Sequence, residues 1–215
     1  MSAALPVYDH AGNVLRFPTP AAFGFFFHEY VHFLHNISTV SGIAAFINTV
    51  ELWRCFRATV EPDGASIGSG TLTADKTQHL ETLLSYLAAT RRNNEPASRL
   101  IPRPFSNVRP VVQSGSDVLA SVLVCQGEIT SKGGQTEPVE VSIGTLELME
   151  SAAWLLEKRV VRALDSAAQI FPVPIFPYEV AAALGEHLAP GVDEDGLLAC
   201  VLAALQSSDA PAALR

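Results

Sequence analysis

Two histidines four residues apart, His28 and His32, bracket Glu29 in the run His28-Glu29-Tyr30-Val31-His32. On a helix, residues with this spacing share a face, so both imidazoles reach one metal ion. Glu29 adjoins the first histidine but is turned about a quarter turn around the axis from it, which suits a base acting on water rather than a ligand. Together the three residues offer metal-assisted hydrolysis, and the HExxH spacing is one by which a single helix holds zinc.

The helix that must carry them is expected at about 20 to 37. Thr19 and Pro20 supply an N-cap and a proline at the first helical position. Phe23, Phe25, Phe26, Val31, Phe33 and Leu34 are expected to give the helix buried faces, and a polar exit precedes Gly42. His35 lies on the face of His28 two turns on, and is expected to wall the site rather than to bind metal.

Two histidines leave such a site incomplete, because a catalytic zinc takes three protein ligands and keeps a position for water. The metzincin arrangement needs a further histidine six residues beyond His32, and position 38 is serine. The remaining donors are Glu147 and Glu150, both in a long helical stretch over 145 to 170. The residues alone leave either one open.

Around these elements the chain reads as α+β and mainly helical. Residues 5 to 17 suggest a hairpin turning at His10-Ala11-Gly12-Asn13. A second helix at about 42 to 58 is apolar on most sides, which predicts a central position. A third, at about 75 to 92, has Asp75 as N-cap and a stripe of Leu80, Leu83, Leu84 and Leu87. Pro62 to Ser69 reads as a loop. Asn93 to Asp117, with four prolines, reads as a long irregular connection. Strands at 118 to 129 and 138 to 143 flank a glycine turn, predicting an antiparallel hairpin. Beyond the long helix come a proline-rich breaker at 171 to 177 and shorter helices at about 178 to 188 and 195 to 206. The acidic run at 193 to 195 reads as a helix cap, since it lacks the ligand spacing of a calcium loop. Residues 1–170 are expected to form the main domain and 171–215 a small helical unit.

The chain has 215 residues, 48% of them hydrophobic and 17% charged, enough for a substantial core. A formal charge of −8 argues against a general nucleic-acid binder. Arg91, Arg92, Arg99, Arg103 and Arg109 are locally dense; a solvated stretch offsetting acidic neighbours is one reading, a surface for an anionic substrate or protein partner the other. Cys55, Cys125 and Cys200 have no CxxC spacing and are expected as reduced core residues of a cytoplasmic protein. The N-terminus lacks the pattern of a secretory signal. The apolar stretch from Ala21 to Phe56 is interrupted by His, Glu, Asn and Arg54, which predicts buried helices and no membrane span.

HEYVHFLHN followed much later by LMESAAWLLE resembles the gluzincin type of zinc metallopeptidase, in which a second helix donates a glutamate from an ExxA segment. More narrowly it is similar to a bacterial group of HEYxH proteins. The resemblance covers two segments of the chain. It implies a zincin-like fold, with the HExxH helix and a Glu-donating helix around a small antiparallel sheet. It also implies Zn2+ held by His28, His32 and Glu150, with Ala153 completing ExxA and Glu29 as the catalytic base. The HExxH helix comes early in the chain and the predicted hairpin falls between the two metal helices, which departs from the usual zincin order.

The expected function is zinc-dependent hydrolysis of peptide bonds in a protein or peptide substrate. A non-catalytic zinc-binding interaction or regulatory module is the alternative, and a non-peptide amide is a third possibility. Candidates for stabilising the oxyanion are Tyr178, His79, Tyr86 and Arg103.

Overall fold

The computed structural model describes residues 7–17, 19–65, 77, 97–102, 107–114, 117–131, 133–170 and 172–215. It is α+β and mainly helical, with a small antiparallel sheet. The expected helix at 75 to 92 lies almost wholly outside the described residues.

A short hairpin, β1 (Val7–Tyr8) and β2 (Val14–Arg16), comes first. Its turn is held by Asp9, whose Oδ1 accepts from the N–H groups of Ala11 and Asn13 at 2.8 Å each. Gly12 there has φ 84°, in the left-handed region that favours glycine.

Helix α1 (Pro20–Ser38) starts as its sequence predicts: Thr19 Oγ1 accepts from Ala22 N–H at 3.1 Å, and Pro20 opens the first turn. Thr39 closes α1, donating its N–H to His35 O at 3.1 Å, and its Oγ1 caps α2 (Val40–Ala58) by accepting from Gly42 N–H at 3.0 Å. One residue thus serves both helix ends and makes a tight elbow. The elbow is tied down where Ser41 N–H donates to Leu205 O at 3.1 Å, which anchors the C-terminal end of α1.

The central position expected for α2 is not what forms. Phe46, Trp53 and Phe56 are 53%, 67% and 59% exposed, and Ile43, Ile47 and Val50 are exposed as well. Among the described residues α2 packs chiefly along α1, and a helix with one neighbour buries one stripe however apolar its other sides are; on α1 itself Phe25, Phe26 and Phe33, expected on buried faces, are exposed as well.

The long connection expected at 93 to 117 is also corrected. It contains β3 (Ala97–Pro102) and β4 (Asn107–Ser114), both antiparallel to the 15-residue β5 (Asp117–Ser131). β3 and β4 follow one another along one edge of β5, and β6 (Thr136–Ile143) pairs with the other edge. Two of the four prolines that suggested irregular chain are placed where a strand tolerates them, and Pro96 and Pro104 lie outside the described residues. Pro102 ends β3, and Pro110 sits in an edge strand next to a register shift. The hairpin of β5 and β6 forms as expected.

Gly144 leads directly from β6 into α3 (Thr145–Leu164). This helix stops six residues before the predicted end, because Asp165 is extended (φ −153°, ψ 108°) and its N–H closes on Val161 O at 3.0 Å. A turn over Ile175–Glu179, with a cis Phe176–Pro177 bond, precedes α4 (Val180–Leu188), α5 (Glu194–Ala204) and α6 (Ala210–Leu214). Asp193 caps α5, accepting from Gly196 N–H at 2.8 Å, so the acidic run does act as a helix cap.

The core forms where β5 and β6 meet α3 and the C-terminal helices. Leu123, Val141 and Ile143 of the sheet pack with Leu148 and Leu155 of α3 and with Val180, Leu184, Val201 and Leu205. The three cysteines are free; Cys55 and Cys125 are buried, but Cys200 is on the exposed side of α5 rather than in the core. Among the described residues no helix is long and apolar enough to cross a membrane.

Candidate metal centre

Helix α1 packs along α3, and this contact brings together the two segments that carry the candidate ligands. The approach is close because Gly24, one turn before His28, has no side chain. A Cβ there would overlap Val161 Cγ2 and come within 3.2 Å of Glu157 Cγ. His28 and His32 project from α1 toward Glu150 on α3. The two Nε2 atoms are 3.0 Å apart, and each lies 3.2 Å from Glu150 Oε2.

These separations fit a shared metal ion. Ligands about 2.0–2.1 Å from a tetrahedral zinc lie about 3.3 Å from one another, and nitrogen with carboxylate oxygen is a donor set zinc accepts. The three atoms are the one such group of His, Cys, Asp or Glu among the described residues. With two ring nitrogens facing each other, at most one supplies a proton to that contact, so the cluster depends on a shared proton or a cation.

Burial opposes charge on His28, but the contacts to Glu150 and Glu157 outweigh it and raise its pKa to about 9. For Glu150 burial pushes upward, and the hydrogen bonds from His28 and His32 overrule it, bringing its pKa down to about 2. The metal-free cluster is therefore an ion pair at neutral pH.

Glu157, two helical turns beyond Glu150, was not among the expected site residues. Its Oε2 lies 3.0 Å from His28 Nδ1, on the opposite side of the ring from Nε2. Nδ1 has no aligned hydrogen-bond partner, so this is a charge contact off the hydrogen-bond line. The sequence carried one signal for it: glutamates seven apart on a helix, at 150 and 157, return to nearly the same face.

The other expected residues fall out as follows. Glu147 is fully buried at the start of α3, where its Oε2 accepts from Gly144 N–H at 2.7 Å; it serves the helix end and stands outside the cluster. Glu29 is exposed and faces a cavity of about 760 Å³ that also touches His28. Tyr178 lines the same cavity, its ring 5.8 Å from that of His28 and 6.2 Å from that of Trp154. Burial, then the charges of Glu150, Glu29 and Glu157, raise its pKa, so it keeps its proton. His35 is buried, with its ring 6.3 Å from that of His32; burial first, then His32, lowers its pKa to about 4 and leaves it neutral.

His79, Tyr86 and Arg103 lie outside the described residues, as do Arg91, Arg92 and the side chain of Arg99. Arg109 is exposed and pairs with Glu140 at 3.1 Å, so this member of the arginine-dense stretch offsets an acidic neighbour. A second cavity, about 410 Å³ and bordered by Glu179, Glu186 and Leu197, touches no member of the metal cluster. No family model, curated protein or solved structure matches this chain at a significant level.

Proposed function

We propose that the chain is a zinc-dependent metallopeptidase of zincin-like design, working in the reducing cytoplasm that three free cysteines favour. The observation that carries this reading is the convergence of His28, His32 and Glu150 within 3.2 Å, with Glu29, the neighbour of His28, in the lining of a cavity.

His28, His32 and Glu150 would hold the metal. A zinc ion bound there supplies a Lewis acid and lowers the pKa of water toward about 7. Glu29 is not a ligand, so its carboxylate is free to take a proton from the attacking water. The water oxygen forms the new C–O bond to the scissile carbonyl carbon, and the C–N bond then breaks. Glu29 passes its proton to the departing nitrogen, leaving a carboxylic acid and an amine. Tyr178 keeps its phenolic proton and donates it as a hydrogen bond to the developing oxyanion. Glu157, 3.0 Å from Nδ1, would steady the His28 ring so that Nε2 could serve the metal.

A second reading, a zinc-binding interaction module without turnover, is favoured by the exposed aromatic residues Phe33, Phe46, Trp53 and Phe56. A peptide-library digest separates the two. The wild type cleaves a defined subset of peptides and Glu29→Gln, loaded with zinc to the same stoichiometry, cleaves none. Identical digests from the two proteins would rule out the peptidase.

A further inference from the structure

We infer that the outward face of α2 is the self-complementary interface of a two-fold dimer, in which α2 packs antiparallel against α2 of a second copy of this chain. The inference is independent of the metal centre and of the peptidase reading.

Exposure on α2 follows a stripe. Ile43, Phe46, Ile47, Val50 and Trp53, spaced i, i+3, i+4, i+7 and i+10, are all exposed, and Phe56 flanks Trp53. The opposite side of the helix, at Ser41 and Cys55, is buried. A seam of this period is one that a second helix fills, whereas a helix facing only water carries polar residues on its outer side. From Val40 to Val50 the sequence has no charged residue.

Size separates this stripe from scattered surface residues. Phe46, Trp53 and Phe56 are 53%, 67% and 59% exposed, which at about 200 Å² per aromatic side chain leaves roughly 350 Å² in water. With the three aliphatic residues the patch reaches roughly 600 Å². That is the upper limit for the surface of a monomer and the lower limit of what each partner gives to a specific interface.

A second copy is the occupant that the order of side chains fits. Antiparallel pairing about an axis level with Asn48 sets Trp53 against Ile43 and Phe46 against Val50, so each layer joins a large side chain to a smaller one. A parallel pair would stack Trp53 on Trp53 and Val50 on Val50, crowding one layer and leaving a gap in the other. An anionic membrane matches less well. The segments of α1 and α2 contain no lysine, their two arginines stand near the C-terminal end of α2, where Arg54 pairs with Glu51 at 2.6 Å, and the formal charge of the chain is −8. Two copies of that charge repel at long range, so an apolar interface between them should tighten with salt.

Sedimentation of the full chain tests this. The expected result is a dimer with Kd on the order of micromolar or tighter, held or strengthened as salt rises from about 0.1 M to about 1 M. Val50→Arg, which buries a charge in a central layer, should weaken the dimer about 100-fold or more, and Trp53→Ala about tenfold or more. Both should keep the zinc content and helical circular dichroism of the wild type. Val111→Arg, at a comparably exposed apolar residue of β4, should leave the dimer unchanged. In a Cys200→Ser background, oxidation of mixed Phe46→Cys and Val50→Cys proteins should join the two variants to each other in preference to themselves. Preferential self-crosslinking, dissociation by salt, or dimers that survive both Val50→Arg and Trp53→Ala would overturn the inference. So would a wild type that is monomeric at about 100 μM, far above that Kd; the stripe would then pass to residues 66–96 of the same chain or, where the monomer floats with phosphatidylglycerol vesicles, to lipid.

Discussion

His28 Nε2 lies 3.2 Å from Glu150 Oε2, although 122 residues separate them in the chain. Glu147, one turn earlier on the same helix, is turned toward Gly144 and away from the cluster. The choice between the two glutamates therefore has a direct test. Glu150→Ala should abolish stoichiometric zinc binding. Glu147→Ala should leave zinc affinity intact and cost about 1–2 kcal/mol of stability through the lost cap. Metal titration and thermal melts of both variants check this, and a selective loss of zinc in Glu147→Ala would move the ligand one turn back.

Zinc uptake should be coupled to proton release. At pH 7 the Glu150 and Glu157 carboxylates keep His28 protonated, with its pKa near 9, and a ligating imidazole must be neutral. Apparent zinc affinity should rise by about tenfold per pH unit from pH 7 toward 9 and flatten above that. Competition with a chromophoric chelator across this range measures the slope; a flat profile would mean that His28 is neutral in the metal-free protein.

The same pair sets a pH window for the metal-free fold. His28 is raised from 6.5 to about 9, so its contribution is complete below pH 6.5 and lost as pH rises through 9. Glu150 is lowered from 4.5 to about 2, so its contribution is present above pH 4.5 and lost as pH falls through 2. Melting temperature of the metal-free protein should decline on both flanks, and Glu150→Gln should reduce the alkaline decline, leaving the part that Glu157 contributes. An alkaline decline unchanged in Glu150→Gln would locate its origin elsewhere.

Glu157→Ala should weaken zinc binding by about 10–100-fold, the usual cost of removing a carboxylate behind a ligating histidine. Glu157→Gln, which still accepts from Nδ1–H, should recover much of that loss. Gly24→Ala should act on the same contact from the other helix, because its Cβ would overlap Val161 and press on Glu157. Lower zinc affinity and a lower melting temperature should appear together in Gly24→Ala; loss of stability with unchanged affinity would separate helix packing from the site.

Two substitutions divide the proposed chemistry. Glu29→Gln should retain zinc and lose turnover, since Glu29 is exposed at the cavity and outside the ligand cluster. Tyr178→Phe should also retain zinc, and should lower kcat by about 100-fold with little change in KM if its hydroxyl serves only the transition state. An equal rise in KM would instead assign Tyr178 to substrate binding.

What could be read from the residues alone was local. The His28 and His32 pair, the Thr19 and Asp193 caps and the hairpin of β5 and β6 each depend on residues a few positions apart, where helical period, capping chemistry and turn residues act directly. Where a residue's role depends on distant chain, the tertiary structure decided. Pro102 and Pro110 suggested irregular chain until their strands were seen along one edge of β5, where a missing N–H is tolerated. The apolar α2 suggested a core helix, yet Phe46 and Trp53 are exposed, because periodicity reports which faces are apolar and not how many neighbours arrive to cover them. Glu150 and Glu157 were two glutamates on a long helix; the close approach at Gly24 set one against Nε2 and the other against Nδ1 of the same histidine. Spacing along the chain determined that two imidazoles share a face, and only packing between α1 and α3 determined which carboxylates meet them.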